Sequence, residues 1–379
     1  MPSSLFYVPT QIVHGENALA SLPENLKRLG IRRPLLVTDD GIIKAGLADM
    51  VLKIIGSNVP IFSDVPPDSS IQTIVELLRY ADEVGADGFI AVGGGSVMDT
   101  AKGVNLVAAV GPDLTDTAGA RRSVQSRPMV AIPTTAGTGS EVSPYSVILD
   151  EEAGVKYPLS DPRLLPAMAV LAPELTLGLP PKLTAATGMD ALTHAVEAHV
   201  STGHNPCSDL FSLAAAAAIV RALPQVMAEP KNLAARSAML TASCQAGIAF
   251  SSAGLGATHA IAHALGGLFH VPHGVANACI LPYVMEYNVP YATERLASIA
   301  RAIGAAEPGG HDGETARKGI AAIRKLVKDL GLPGQIRDLG VKREDLPKIA
   351  ALAARDATLP TNPRRATEAD ILALLERAY

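Results

Sequence analysis

The chain has 379 residues, of which 48% are hydrophobic and 18% charged, so it can bury more than one apolar core and does not resemble a disordered protein. Its net charge of −5 and the absence of tryptophan argue against binding to nucleic acid or to an anionic membrane surface. Three cysteines without a C-x-x-C pair (Cys207, Cys244 and Cys279) indicate neither a disulfide framework nor a thiolate zinc site.

Short apolar runs and helical patterns alternate through the first half of the chain. Residues 34–38, 88–92 and 129–132 have the composition of buried strands, and residues 71–83 have the periodicity of an amphipathic helix. A further helix is predicted from about Ser96, directly after the second of these strands. Strands that alternate with helices predict a parallel sheet covered by helices.

The second half changes character at the pair Pro180-Pro181. From there the sequence is rich in alanine and helix-periodic, and it has few β-branched runs. Because a proline pair interrupts regular structure, we place a domain boundary at this point. The sequence therefore predicts an α/β domain over residues 1–180 and an all-helical domain over residues 181–379.

A glycine run follows the strand predicted at residues 88–92. The run Gly93-Gly94-Gly95-Ser96 leads into the next helix, and glycines let the backbone approach a phosphate closely. The free N–H groups and the dipole of a helix start favour a bound anion. A tight turn is the alternative explanation of this run, which is not the G-x-G-x-x-G pattern of an ordinary Rossmann domain.

A second loop, residues 133–140, reads Pro-Thr-Thr-Ala-Gly-Thr-Gly-Ser after the third strand. Its hydroxyl groups can hydrogen-bond a phosphate or a ribose, although a capped helix start is the alternative. Two such loops indicate a dinucleotide. Asp39 ends the first strand, where a carboxylate accepts hydrogen bonds from a ribose and repels a 2′-phosphate, which favours NAD over NADP. A turn aspartate is the alternative reading, with Asp40 beside it.

Carboxylate and imidazole side chains with metal-ligand spacing lie in the helical half. Asp190 and His194 are four residues apart and share one face of a helix, as do His259 and His263 on a second helix. His273 follows in a Pro-His-Gly loop. Oxygen and nitrogen ligands without a thiolate suit Fe²⁺ or Zn²⁺. A hydrogen-bonded Asp–His couple and a satisfied pair of histidines are the alternatives.

Apolar neighbours surround many histidines of this region. Burying so many imidazoles without a common purpose is costly, so the sequence predicts a metal site. Its spacing does not choose the ligands among His259, His263, His270 and His273. We expect His199 and His204 to flank the site or to cap its helix. Five of the nine histidines have this apolar context, namely His194, His199, His259, His263 and His273.

Taken together, these motifs resemble those of the iron-containing (group III) alcohol dehydrogenase family over nearly the whole chain. The matching motifs are Gly93-Gly94-Gly95-Ser96-x-x-Asp99-x-x-Lys102, the run from Ala131 to Glu141, Gly188-x-Asp190-Ala191-x-x-His194, Gly254-x-Gly256-x-x-His259-x-x-x-His263, Pro272-His273-Gly274 and Asn362-Pro363-Arg364. Six motifs in the same order make the resemblance specific.

The resemblance implies an α/β N-terminal dinucleotide-binding domain with a parallel sheet and an all-α C-terminal metal-binding domain, the architecture shared with dehydroquinate synthase. It implies that Asp190, His194, His259 and His273 bind the metal, with His263 beside it as a proton-relay residue. The cofactor-binding residues that we expect are Asp39, from its place at the end of a strand, together with those that match the family motifs: Gly93, Gly94, Gly95, Ser96, Asp99, Thr134, Thr135, Thr138, Tyr145, Lys156 and Leu175. Phe250 and Leu255 match positions that border the substrate pocket.

The resemblance further implies an NAD-dependent enzyme that uses Fe²⁺, or Zn²⁺, and acts on a short primary alcohol or diol and its aldehyde. A dehydroquinate-synthase-like lyase that uses NAD transiently, and a non-catalytic nucleotide sensor, are the alternatives. We expect a homodimer or higher homo-oligomer, with no nucleic-acid or membrane partner. The first ten residues show no export signal and no apolar run reaches the length of a membrane span, so we expect a cytoplasmic protein.

Overall fold

A computed structural model of the chain describes residues 4–111, 126–150 and 155–379. It contains two compact units. The α/β unit comprises residues 8–135 and 140–178, and the helical unit comprises residues 179–379 with the N-terminal segment up to Tyr7 and the stretch Ala136–Gly139. The main division, after Gly178, is next to the boundary predicted after residue 180. The two short segments that belong to the helical unit have no signal in the sequence pattern.

The sheet of the α/β unit is parallel and six-stranded, with the order β1-β8-β5-β4-β2-β3. A separate antiparallel hairpin is formed by β6 and β7. In chain order the strands are β1 (Gln11–His14), β2 (Pro34–Val37), β3 (Ile61–Phe62), β4 (Gly88–Gly93), β5 (Met129–Pro133), β6 (Tyr145–Asp150), β7 (Val155–Ser160) and β8 (Met168–Leu171). The three predicted strands are β2, β4 and β5, which are nearly continuous apolar runs because the sheet is buried on both faces.

Helices cover both faces of this sheet. They are α1 (Leu22–Arg28), α2 (Asp40–Lys44), α3 (Leu47–Ile55), α4 (Ile71–Glu83) and α5 (Gly95–Val110). Alternate residues of each strand point to opposite faces, so Leu35 and Val37 pack with α4 and α5 while Leu36 packs with α1 and α3. The α/β unit therefore has two apolar layers, one on each side of the sheet.

The helical unit contains, among its described residues, eight α-helices. They are α6 (Pro181–Val200), α7 (Pro206–Ala228), α8 (Leu233–Ala253), α9 (Ala257–Phe269), α10 (His273–Ala302), α11 (Asp312–Asp329), α12 (Leu346–Ala353) and α13 (Glu368–Ala378). Pro181 stands in the first turn of α6, where its missing N–H removes no helical hydrogen bond. Asn205 and Ser208 form a capping box at the start of α7. Local chemistry therefore explains where these helices begin.

Helix α7 bears on the sequence expectation that no segment spans a membrane. In the part of the chain that the structure describes, it is the one helix long and apolar enough to cross a membrane by length and composition, with a mean hydropathy of 1.6 over its best window. Buried positions make up 39% of that window. Core helices pass the same test, so this single helix is weak evidence for a membrane span.

Candidate functional site

The carboxyl ends of β2, β4 and β5 bring the two predicted phosphate loops together. Gly93 pairs in register with Pro133, and the backbone N–H of Thr134 donates to the Gly93 carbonyl at 3.0 Å. The hydroxyl of Thr38, at the end of β2, donates to the Val92 carbonyl at 2.8 Å. Because nucleotides bind at the carboxyl ends of parallel strands, this edge of the sheet is a candidate dinucleotide site.

The side chain of Val97 explains the glycine at the end of β4. A Cβ atom on Gly93 would lie 2.5 Å from Cγ2 of Val97, so no larger residue fits without moving the first turn of α5. Helix α5 begins at Gly95 with Gly94 as its N-cap, and no side chain caps it. The N–H groups of this first turn, including that of Ser96, therefore remain available for an anion.

Asp39 caps a helix, a structural role in addition to the ribose contact that the sequence predicts. It is the N-cap of α2, and its Oδ1 accepts a hydrogen bond from the backbone N–H of Ile42 at 3.0 Å. The cap fixes the carboxylate at the end of β2, on the same edge of the sheet as the glycine run. This position is compatible with the ribose contact that the sequence predicts.

Asp99 and Lys102 belong to a buried network that anchors the segment after the second loop. The ammonium group of Lys102 donates to Ser140 Oγ at 2.7 Å and to the Tyr145 carbonyl at 2.9 Å. Asp99 accepts from the Ser140 hydroxyl at 2.8 Å and from the Val147 N–H at 2.9 Å. Burial lowers the pKa of Lys102 to about 8, although the charge of Asp99 opposes this shift. Asp99 thus holds Ser140 and Val147, which follow the second predicted phosphate loop, in place.

The remaining predicted cofactor residues are spread over different environments. Thr135 lies beside Gly94, but Thr138 belongs to the short segment grouped with the helical unit. Leu175 is 1% exposed and packs in an apolar core. Burial raises the pKa of the Tyr145 hydroxyl at the start of β6. The side chain of Lys156, on β7, is outside the described part of the structure.

Three predicted metal ligands converge in the helical unit. Asp190 on α6, His259 on α9 and His273 at the start of α10 each offer one ligand atom, and these atoms lie within 4.8 Å of one another. Asp190 and His259 are buried, whereas the His273 side chain is 41% exposed. One carboxylate and two imidazoles at these separations form a candidate metal centre that is open on one side.

An amide nitrogen lies where these ligands converge. Nδ2 of Asn277 donates to Asp190 Oδ1 at 2.7 Å and lies 3.2 Å from His259 Nε2 and 3.1 Å from His273 Nε2. An amide has only two hydrogens for these three acceptors, and its Oδ1 is buried without a hydrogen-bond partner among the described residues. Three lone pairs aimed at one position fit a divalent cation better than they fit an amide, so the residues present suit a metal ion.

His194 is next to this group but is not one of the three converging ligands. Its ring stacks between Phe250 at 4.5 Å and His259 at 4.6 Å, measured between ring centroids. Its Nδ1 lies 3.2 Å from the Gly137 carbonyl, which requires the proton on Nδ1 and leaves Nε2 as an electron-pair donor. Gly137 belongs to the segment Ala136–Gly139, so this contact helps explain why that segment packs with the helical unit.

The electrostatics of the cluster favour ligands that are ready for a metal. Burial would raise the pKa of Asp190, but the neighbouring imidazoles of His194, His273 and His259 outweigh burial and lower it. Burial and the adjacent imidazoles hold the pKa of His259 well below its usual value. The two shifts favour the ionised form of Asp190 and the neutral form of His259, which are the forms that bind metal ions.

Two acidic residues next to the histidines have no counterpart in the predicted site. Glu197 on α6 accepts a hydrogen bond from His259 Nδ1 at 2.6 Å, and Asp356 accepts one from His263 Nδ1 at 2.8 Å. Asp356 also accepts from the Thr358 hydroxyl at 2.6 Å. Burial raises the pKa of Asp356, but the bonds from His263 and Thr358 outweigh burial and lower it. The only sequence signal for Glu197 is its position three residues after His194.

Three other histidines are not part of the candidate centre, although we expected His199 and His204 to flank it or to cap its helix, and His199 does lie in the last turn of α6. His199 is buried, with Nδ1 3.0 Å from Ser212 Oγ and Nε2 2.7 Å from Ser298 Oγ, so it belongs to a separate network. Nδ1 of His204 lies 3.3 Å from Asp209 Oδ2, and Asn205 rather than His204 caps α7. His270 ends α9 with φ at 55° and is exposed. Helical periodicity cannot distinguish these roles because all three residues are near ligand helices in sequence.

Comparison with known proteins connects both units to one group of enzymes. A family profile described as "Iron-containing alcohol dehydrogenase" matches residues 9–173, and one described as "Fe-containing alcohol dehydrogenase family, C-terminal" matches residues 184–379. The chain is 41% identical over 380 residues to 1,3-propanediol dehydrogenase of Klebsiella pneumoniae, which covers 99% of this chain and 98% of that protein. It is 38% identical over 378 residues to NAD-dependent methanol dehydrogenase of Bacillus methanolicus, with 98% and 99% covered. The crystal structure of a 1,3-propanediol oxidoreductase superposes with a TM-score of 0.95, at 40% identity and with 100% of both chains covered.

Proposed function

The chain belongs to the iron-containing alcohol dehydrogenase family, and we propose that it moves a hydride between a short primary alcohol or diol, or its aldehyde, and NAD(H). The observation that carries this proposal is the convergence of Asp190, His259 and His273 within 4.8 Å. A lyase of the same architecture and a nucleotide sensor remain the alternatives that the test below separates.

We assign four ligands to the metal, with Fe²⁺ as the native ion and Zn²⁺ as the alternative. The ligands are Asp190, His194, His259 and His273. Support for three of them comes from their convergence, and support for His194 comes from a Nδ1 engaged by a carbonyl, which leaves Nε2 free to donate. Oxygen and nitrogen donors without a thiolate suit either ion.

His263 is our candidate for moving the proton. A metal ion held by these residues would supply Lewis acidity to the alcohol oxygen, and the nicotinamide of bound NAD⁺ would accept the hydride. His263 is partly exposed, and its Nδ1 donates to Asp356 at 2.8 Å, so its Nε2 carries the lone pair that can accept a proton. Asp356 is a positioning residue, because its carboxylate holds the ring in this tautomer and stabilises the imidazolium once it forms.

Phe250 offers an apolar side to the substrate near the metal. Its ring is 5% exposed and stacks on His194. An apolar wall distinguishes homologous substrates by only about 1–3 kcal/mol per methylene, so the enzyme is expected to accept several chain lengths. We expect turnover of ethanol, propanol and butanol, and of 1,2- and 1,3-propanediol.

A panel of these alcohols, assayed by NADH formation after anaerobic restoration of Fe²⁺, tests the proposed function. Turnover of several neutral alcohols supports the dehydrogenase. A second panel of phosphorylated and other anionic compounds is assayed by loss of the substrate. Activity confined to that panel, without net formation of NADH, would favour the lyase. Binding of NAD without turnover of any compound in either panel, by a protein that has its metal, would favour the sensor.

Cofactor preference provides a separate prediction at Asp39. Both Asp39→Asn and Asp39→Gly are expected to raise the ratio of kcat/KM with NADP⁺ to that with NAD⁺ by about 10-fold to 100-fold, because each removes a negative charge near the 2′-phosphate. Asparagine caps a helix as well as aspartate does, so Asp39→Asn separates the charge from the cap of α2. A wild-type preference for NADP, or an unchanged ratio in both variants, contradicts the role of Asp39.

We also propose that the protein is a cytoplasmic homo-oligomer without nucleic-acid or membrane partners. Exposed apolar side chains on the N-terminal segment and α7 support self-association: Leu5 is 81% exposed, Tyr7 56% and Leu210 72%. Phe6 stacks on Phe211 at 5.9 Å, so this segment and α7 contribute to one apolar surface. The net charge of −5 disfavours polyanionic partners.

A further inference from the structure

Glu197 is a buried carboxylate that faces the start of α9. It accepts three hydrogen bonds from that helix: from the backbone N–H of Gly256 at 3.0 Å, from that of Thr258 at 2.6 Å, and from His259 Nδ1 at 2.6 Å. The first two donors are among the N–H groups that a helix start leaves without intrahelical partners. One side chain on α6 therefore caps α9 and also accepts a hydrogen bond from Nδ1 of His259, a proposed metal ligand.

No lysine or arginine among the described residues forms an ion pair with the Glu197 carboxylate. The residue is 2% exposed, and the one basic side chain that pairs with it among the described residues is His259, whose pKa burial lowers. The positive end of the α9 dipole lies directly against the carboxylate and stabilises it in part. Burying an anion without a cationic side chain is costly, so its retention here calls for a role beyond packing.

We propose that Glu197 is a positioning residue of the metal centre, acting through His259. Its carboxylate keeps the proton of His259 on Nδ1 and thereby leaves the Nε2 lone pair directed at the position on which Asp190 and His273 also converge. A carboxylate behind a ligand histidine also increases the electron donation of the ring to the ion. This inference rests on the proposed function, because it requires that the cluster bind a metal.

A second side chain, that of Asn362, accepts a hydrogen bond from the start of α9 and does not contact the imidazole of His259. Asn362 Oδ1 accepts from the Ala257 N–H at 3.2 Å and from Asn288 Nδ2 at 3.0 Å. Glu197 and Asn362 leave no room for a side chain between them. A Cβ atom on Gly256 would lie 2.8 Å from Asn362 Oδ1 and 3.1 Å from Glu197 Oε1. Asn362 is therefore a matched control, because it holds the same helix without contacting the ligand.

A glutamine at position 197 separates these roles. Gln has one acceptor oxygen for three donors, and its NH₂ group can donate to His259 Nδ1. That bond would move the imidazole proton to Nε2, where it blocks the ligand lone pair. Glu197→Gln is therefore expected to weaken metal binding more than it disturbs the helix. Glu197→Asp keeps the charge with a shorter reach and is the second variant, used if Glu197→Gln does not fold.

The test measures the Kd of Co²⁺ by competition with a chromophoric chelator, and the melting temperature of the metal-free protein, for the wild type, Glu197→Gln, Glu197→Asp and Asn362→Ala. We expect Glu197→Gln to raise the Kd by about 10-fold to 100-fold, with Glu197→Asp between it and the wild type. Asn362→Ala is expected to lower the melting temperature while changing the Kd by less than about threefold, since it does not touch His259.

Two outcomes overturn the inference while leaving the proposed function intact. One is an unchanged Kd in Glu197→Gln, or in Glu197→Asp if the first variant does not fold. The other is an equal loss of affinity in Asn362→Ala, which would reduce Glu197 to a helix cap. Failure of the wild type to bind Co²⁺ would instead overturn the metal centre itself and the inference with it.

Discussion

Replacing His259 by alanine is expected to remove both the bound metal and turnover. The imidazole is 1% exposed and supplies one of three converging lone pairs, so no water-exposed group can substitute for it without rearrangement. Loss of a Lewis acid worth several kcal/mol corresponds to a fall in kcat/KM of about 10³-fold or more. Elemental analysis of protein purified without chelator should find about one Fe or Zn per chain in the wild type and almost none in the variant.

His263→Gln is the matched control for this experiment. Gln can still donate to Asp356, but it has no ring nitrogen to accept a proton. The variant is expected to retain its metal and to lose about 10²-fold to 10⁴-fold in kcat, the usual contribution of a general base. Full activity of His259→Ala in the absence of metal would refute the metal centre, and loss of metal from His263→Gln would make His263 a ligand.

Gly274→Ala is expected to destabilise the helical unit by about 3 kcal/mol or more and to weaken metal binding. A Cβ atom at Gly274 would lie 2.1 Å from the Ala186 carbonyl oxygen and 2.6 Å from the Ala186 carbonyl carbon. These are backbone atoms of α6, which cannot rotate away as a side chain would. The clash pushes the start of α10 from α6 and so separates His273 from Asp190. Urea denaturation of the metal-free protein measures the loss of stability.

Gly267→Ala is the control for this substitution. Gly267 is exposed within α9, and a Cβ atom there would contact nothing within 4 Å. Alanine is expected to stabilise the protein by about 0.5–1 kcal/mol, because it reduces the conformational freedom of the unfolded chain. If Gly274→Ala unfolds at the same urea concentration as Gly267→Ala, the close packing of α10 on α6 is wrong.

The sequence by itself determined the features that depend on local pattern. The sequence predicts strands β2, β4 and β5 because a sheet covered on both faces is made of continuous apolar runs. The glycine run after β4 can be recognised in the sequence because a close neighbour leaves no room for a side chain, as Val97 leaves none at Gly93. The pairs Asp190/His194 and His259/His263 follow from the helical repeat. These signals span a few residues each, so they survive without knowledge of the fold.

The tertiary structure decided which of those side chains meet. The sequence left His259, His263, His270 and His273 as equivalent candidates, and packing brought His259 and His273 to Asp190 while it turned His270 to solvent. Glu197 and Asp356, which no motif indicated, orient imidazoles that lie 62 and 93 residues away in the chain. Hydrogen-bond partners at such separations are set by how α6 and the segment after α12 pack against α9, because a periodic pattern specifies a helix face and not its neighbour.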